Sequence, residues 1–272
     1  MKRHYSFLLF LLIAPLLFMT CKKDDEGNTI VNIFSVDDDI KMGKRMDEYF
    51  RNPDSSGLKI LKREDYPVAY NYIENIKTQI LNSGSIRYKD EFEWKIGIIH
   101  DDQTLNAFAT PGGYIFVYTG LIKYLDCGDH LAGVMGHEIA HSDKRHSTNQ
   151  LTKQYGVSTL LGIVLGNGTI SQVSQSLLSL KFSRDDENDA DENSVKYLCN
   201  APHISADGAA GFFQKLIDGG HSSSTLEFLS THPSSDKRVE NIRSKAKELG
   251  CGVSETCTDS DTYQDVKNSL PN

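Results

Sequence analysis

The chain has 272 residues, with 29 Lys and Arg against 37 Asp and Glu, for a formal net charge of −8. Hydrophobic residues at 39% and charged residues at 24% suit a globular core and exclude a collagen-like, coiled-coil or wholly disordered chain. A nucleic-acid partner needs a basic face, so the acidic balance argues against one.

In chain order, Lys2 and Arg3 precede an apolar run from Phe7 to Met19. This pattern reads as a signal peptide over 1–20, and the run is too short to span a bilayer. Phe18-Met19-Thr20-Cys21 resembles a bacterial lipobox, although Phe18 and Thr20 stand where Leu and a small residue are usual. That resemblance implies lipid on Cys21, a flexible acidic tether over 21–35, and membrane anchorage in the bacterial cell envelope. Cys127, Cys199, Cys251 and Cys257 then remain. An even count in an oxidising compartment permits two disulfides, with three connectivities. Cys251 and Cys257 are close enough in sequence to close a small loop, which leaves Cys127 to pair with Cys199.

A helix starts at Ser35, and Asn52 to Gly57 reads as a loop rich in breakers. Residues 68–81 are helical, with Ile73, Ile76, Ile80 and Leu81 on one face. Phe92, Trp94, Ile96 and Ile98 alternate with other residues, which predicts a strand. A second strand covers Tyr114, Ile115, Phe116, Val117 and Tyr118. Helical patterning covers 121–145. The apolar residues 157–165 predict a buried helix–turn–helix. Further helices cover 181–199, 207–218 and 234–249, and 251–272 reads as a polar tail. The total is an α+β fold dominated by helices, with one domain over 36–250.

His137-Glu138-Ile139-Ala140-His141 carries chemistry. On a helix, positions i and i+4 share a face, so both imidazoles can bind one zinc ion. Glu138 sits one residue round, within reach of a water. A catalytic zinc needs a third ligand, and the acids of 185–191 supply candidates. Glu187 and Asp191 share a helix face, but spacing alone does not choose among five acids. His146 lies nine residues after His137. On a continuous helix that is about half a turn away from the metal face, so His146 reads as surface or packing. His100, His130, His203 and His221 have no partner pattern.

His-Glu-Ile-Ala-His followed by Ser183-Arg184-x-x-Glu187-x-x-Ala190-Asp191 resembles the HtpX and CAAX-prenyl-protease family of zinc peptidases. Asn106 to Val117 resembles that family's segment before the active-site helix. Thr231-His232-Pro233, with Arg238 beyond, resembles its C-terminal motif. The resemblance spans about 36–250 and implies a zincin-like domain with a small sheet beside the active-site helix. It implies one zinc ion on His137, His141 and Glu187, with Glu138 as general base. It also places Asp191 behind a ligand histidine. The stretch Tyr114 to Val117 is implied to be an edge strand that takes a substrate peptide by backbone pairing.

His232 has two functional readings, an oxyanion donor or a fourth zinc ligand that holds the enzyme inactive. Arg238 would brace Glu187, Asp191 or the oxyanion. The function implied is a zinc endopeptidase of the envelope acting on unfolded or misassembled proteins. The alternative is a chaperone-like or assembly-assisting module with a latent zinc site.

Overall fold

The computed structural model describes residues 33–219, 228–232, 237–253, 257 and 259–271, with the backbone of 22–23 and 29–30. The signal segment, Cys21, His221 and Pro233 lie outside the described residues. Within the stretch read as a tether, β1 (Lys22–Lys23) pairs antiparallel with β2 (Thr29–Ile30).

Helix α1 (Val36–Arg51) opens on a capping box. Ser35 accepts from the Asp38 N–H, and Asp38 accepts from the Ser35 N–H. Asp37, Asp38 and Asp39 fill its first turn, where the helix dipole favours acids. Met42, Met46 and Phe50 repeat every four residues and are buried. The predicted loop at 52–57 is instead a single helical turn, α2 (Pro53–Ser56). Its breakers act as stop and start signals. Asn52 caps it, Pro53 takes the first position, and Gly57 closes it in the left-handed region.

Helix α3 (Pro67–Leu81) matches its prediction and buries Ala69, Tyr70, Ile73, Ile76 and Ile80. Strand β3 spans Lys95–Ile99, later than the alternation suggests. Trp94 has φ 43°, which breaks an extended run, so Phe92 and Trp94 are buried by a turn. The Trp94 indole donates to the carbonyls of Tyr88 and Lys89.

Strands β4 (Ala107–Ala109) and β5 (Tyr114–Tyr118) complete a three-stranded sheet in the order β3-β5-β4. β5 runs parallel to β3 with Ile96 opposite Ile115, and antiparallel to β4 with Phe108 opposite Phe116. Both faces are covered. Ile96, Ile98, Ile115 and Val117 join the larger core. Ile99, Phe108, Phe116 and Tyr118 join a second core with Met42, Met46 and Phe50. Burial on both faces explains why β5 is apolar without alternation.

Helix α4 (Thr119–Tyr124) leads to α5 (Gly128–Asp143), which runs through the centre, with fourteen of its sixteen residues buried. Helices α6 (His146–Val164) and α7 (Ile170–Leu177) form the predicted hairpin. Leu160 and Ile163 are buried, whereas Val157, Leu161 and Leu165 face outward. Helix α8 (Arg184–Cys199) and α9 (Gly208–Asp218) flank α5. The α5–α9 crossing brings backbones together, since a Cβ on Gly133 would stand 2.0 Å from Ala209 N. Helix α10 (Arg238–Glu248) packs on α8 and α9. Among the described residues no helix is long and apolar enough to cross a membrane.

The C-terminal stretch is not merely a polar tail. Helix α11 (Ser260–Asn268) docks on α3, burying Tyr263 and Val266, with Leu270 buried just beyond. This docking corrects the disulfide pairing. The bridges are Cys127–Cys257, with Cα atoms 5.7 Å apart, and Cys199–Cys251, at 5.3 Å. They are not Cys127–Cys199 and Cys251–Cys257. Helix α10 delivers Cys251 to the end of α8. Asp259 accepts from the Gly128 N–H at 3.0 Å and pairs with the Tyr72 hydroxyl, which holds Cys257 beside Cys127. Residues close in sequence are thus drawn to two different helix ends.

Candidate active site

His137 and His141 lie one turn apart on α5, with their Nε2 atoms 3.0 Å apart. Helix α8 starts at a capping box formed by Ser183 and Asp186, which aims Glu187 and Asp191 at α5. Glu187 Oε1 lies 3.4 Å from His141 Nε2, and its Oε2 lies 3.5 Å from His137 Nε2. His232 closes the group. Its Nδ1 is 3.3 Å from His137 Nε2 and 3.1 Å from Glu187 Oε1. His137, His141, Glu187 and His232 are all buried.

This donor set fits a metal ion. A tetrahedron with metal–donor distances of about 2.0–2.1 Å has edges of about 3.3 Å, close to the separations here. His137 Nδ1 contacts Asp191 Oδ1 at 2.8 Å, so a hydrogen there leaves a lone pair on Nε2. That lone pair faces the imidazole of His141 and the carboxylate of Glu187, an arrangement that a cation resolves.

Arg238, 2% exposed, braces both acids. It donates to Asp191 through Nε at 2.7 Å and Nη2 at 2.6 Å, and to Glu187 Oε2 through Nη1 at 2.9 Å. Its guanidinium lies over the Phe213 ring, 3.9 Å from the centroid. Burial works against ionised carboxyls here. Even so, Arg238 and His137 hold Asp191 below its ordinary value, and the three histidines hold Glu187 well below its own. Burial lowers His141 well below the ordinary histidine range, partly offset by Glu187, which favours the neutral ring that a metal needs.

Glu138 is different. Both of its carboxylate oxygens are buried and, apart from the pull of the Ala109 N–H, lack a hydrogen-bond partner among the described residues. His232 lies beside it, with Nε2 3.5 Å from Oε1. Burial pushes its carboxyl up, against the pull of His232 and His137. A buried carboxylate this short of hydrogen bonds is costly as structure and suited to accepting a proton.

A profile of Peptidase family M48 matches residues 69–246. The chain belongs to peptidase family M48. It is 28% identical over 244 residues to the beta-barrel assembly-enhancing protease of Yersinia pestis, covering 83% of this chain and 47% of that one. It is 30% identical over 177 residues to the mitochondrial metalloendopeptidase OMA1 of Schizosaccharomyces pombe, covering 63% and 51%. It is 33% identical over 152 residues to the metalloprotease YcaL of Escherichia coli, covering 52% and 58%. The chain thus spans about half the length of the curated relatives it matches. The helix-dominated α+β fold with a zincin-like site accords with this family.

One expectation about these residues needs correction. Tyr114 to Val117 is the central strand, not an edge, because β3 and β4 pair with its two sides. The edge beside α5 is β4. Its ladder bonds run through Asn106 and Thr110, so the backbone groups of Ala107 and Ala109 point away from β5. A narrow gap lined by Ala107, Ala109, Leu177, Leu180, Phe182 and His232 borders that edge. Phe182 also stacks on His141, with ring centroids 3.9 Å apart; nothing in the sequence marks it.

His146 is buried by packing on His141, one of the two readings expected of it, but not for the reason expected. Its half-turn offset assumes a continuous helix, but α5 ends at Asp143, and Arg145 adopts φ 62°. The chain turns there without Gly or Pro, so no sequence signal announces it. His146 Nδ1 comes to 3.0 Å from His141 Nδ1.

Proposed function

We propose that this protein is a zinc endopeptidase of the bacterial envelope that cuts unfolded or misassembled proteins and rests in a latched state. The observation carrying this reading is Glu138, buried with its carboxylate oxygens short of hydrogen bonds beside four converging metal donors. A purely structural metal site has no use for that carboxylate. The assembly-enhancing names of relatives support the substrate class and the envelope setting. Lipid on Cys21 remains part of the proposal.

His137, His141 and Glu187 would hold the zinc ion, with His232 as a fourth, displaceable donor. Bound there, zinc supplies the Lewis acidity that makes a water nucleophilic near neutral pH and polarises the scissile carbonyl. Glu138 takes the proton from the attacking water and hands it to the leaving amine. Asp191 and Arg238 fix His137 and Glu187 in position. The outward backbone groups of β4 would receive the substrate as an added strand, a recognition tolerant of sequence, once the Ala107 N–H leaves Asn106 Oδ1 and the Ala109 carbonyl leaves the Ser147 hydroxyl. Leu177, Leu180, Phe182 and His232 crowd that edge, so they move before a peptide enters.

The test is hydrolysis of casein by the zinc-loaded full chain, by His232→Ala, and by His232→Ala combined with Glu138→Gln. Cleavage by the first two that disappears in the third supports the reading. Folded, zinc-loaded proteins that all fail to cleave would overturn it in favour of a binding or assembly role.

A further inference from the structure

We propose that His146, held by Asp189, is a positioning residue that sets the tautomer of His141 and so the affinity of the site for zinc. This rests on the zinc-peptidase reading above.

Two buried ring nitrogens 3.0 Å apart, His146 Nδ1 and His141 Nδ1, share one hydrogen, so one donates and the other accepts. The second nitrogen of His146 decides which. Its Nε2 lies 3.2 Å from Asp189 Oδ2 and 3.9 Å from Asp186 Oδ1. An ionised carboxylate only accepts, so the neutral ring of His146 that a zinc-bound His141 calls for carries its hydrogen on Nε2. Its Nδ1 then accepts from His141 Nδ1–H. That assignment leaves the lone pair of His141 on Nε2, the atom that faces His137 and Glu187.

Asp189 is itself aimed. Asn193 Nδ2 donates to its Oδ1 at 2.9 Å, which leaves Oδ2 for His146. The turn that delivers His146 is anchored as well. Arg145, in the left-handed region that non-glycine residues avoid, pairs with Asp39 Oδ2 at 2.5 Å and donates to the Phe34 and Ser35 carbonyls at 2.7 and 2.9 Å. Thr148 Oγ1 donates to Asp39 Oδ1 at 2.9 Å. Uncommon backbone held this firmly beside a site points to a use for it. The two metal-facing imidazoles are therefore backed in parallel, His137 by Asp191 directly and His141 by Asp189 through His146.

The experiment labels the full chain with 15N-histidine, loads it with zinc, and reads ring tautomers from long-range proton–nitrogen correlations. His146 is expected as the Nε2–H form and His141 as the Nδ1–H form; His146 as Nδ1–H would overturn the inference. Zinc affinity is measured in parallel by competition with a chromophoric chelator. His146→Leu is expected to weaken binding by roughly 10- to 100-fold. His146→Gln, whose side-chain oxygen can accept from His141, is expected to recover most of that loss. Equal affinity for the wild type and His146→Leu, or a loss that His146→Gln leaves unrepaired, sinks the proposal. A wild type that binds no zinc at all would instead defeat the peptidase reading beneath it.

Discussion

His232 holds its Nε2 3.5 Å from Glu138 Oε1. The same ring turns Nδ1 toward His137 and Glu187, so on the proposed reading one side chain covers the base and fills the fourth donor position. It is gripped between aromatic faces, stacked on Phe228 at 4.8 Å and on Phe182 at 5.6 Å. His232→Ala should therefore raise basal casein cleavage at least about tenfold, equivalent to about 1.4 kcal/mol of latch, while weakening zinc binding. Unchanged or lower cleavage with zinc still bound would refute the latch.

Arg238 is buried between two carboxylates and an aromatic ring. Replacing it with Met takes the only arginine from Glu187 and Asp191 and leaves them histidines alone among the described residues, a change that costs about 3–5 kcal/mol. For a chain of this size the melting temperature should fall by roughly 10 °C. Arg238→Lys keeps the charge but loses the fork, and it should fall in between. Calorimetry of metal-free proteins checks the order, and a neutral Arg238→Met would contradict the brace.

The metal-free protein should have a stability plateau with two edges set by one pair. Burial lowers His137, yet Asp191 and Glu187 raise it from 6.5 to about 9. Its stabilisation is complete below 6.5 and is lost as pH rises through about 9. Asp191 lies below its ordinary 3.8, so its stabilisation is complete above 3.8 and is lost as pH falls further. Asp191→Asn should flatten both edges in a series of melting temperatures against pH. Parallel curves for the two proteins would contradict the assignment.

Non-reducing peptide mapping should recover Cys127 joined to Cys257 and Cys199 joined to Cys251. A peptide joining Cys251 to Cys257 would show that the C-terminal segment docks elsewhere. Because Cys127 and Cys257 are 130 residues apart, removing that bridge should cost about 2–5 kcal/mol.

Gly133→Ala tests the α5–α9 crossing. The added carbon would meet the backbone of Ala209 at 2.0 Å and that of Gly208 at 2.4 Å. Backbone cannot yield as a side chain can, so a loss of at least about 2 kcal/mol is expected. A melting temperature equal to wild type would mean that the helices cross further apart.

The donors on α5 were legible because two histidines four apart on a helix must share a face. Glu187 was legible only through family likeness, since the acids around it have the same chemistry and similar spacing. Arg238 was ambiguous because an arginine early in a polar helix usually faces solvent. His146 and Phe182 were illegible, the first because the turn at Arg145 has no Gly or Pro to mark it, the second because it stands in the connection just before the Ser183 cap. The strand order was hidden for a different reason. A strand buried on both faces has the same composition at an edge as at the centre. Tyr263, Val266 and Leu270 did carry a helical spacing, which the polarity of their neighbours obscured.

The first helix also sets where the working unit of this protein must begin. The family profile starts at residue 69, beyond α1. Yet Asp39 on α1 secures the reversal at Arg145, and Gly43 lies so close to the Pro111 carbonyl that a Cβ there would stand 1.9 Å from its oxygen. An excised fragment starting at residue 69 would keep every metal donor and lose the clamp behind one of them. A working fragment is therefore expected to start near Ser35, some thirty residues before the family profile begins.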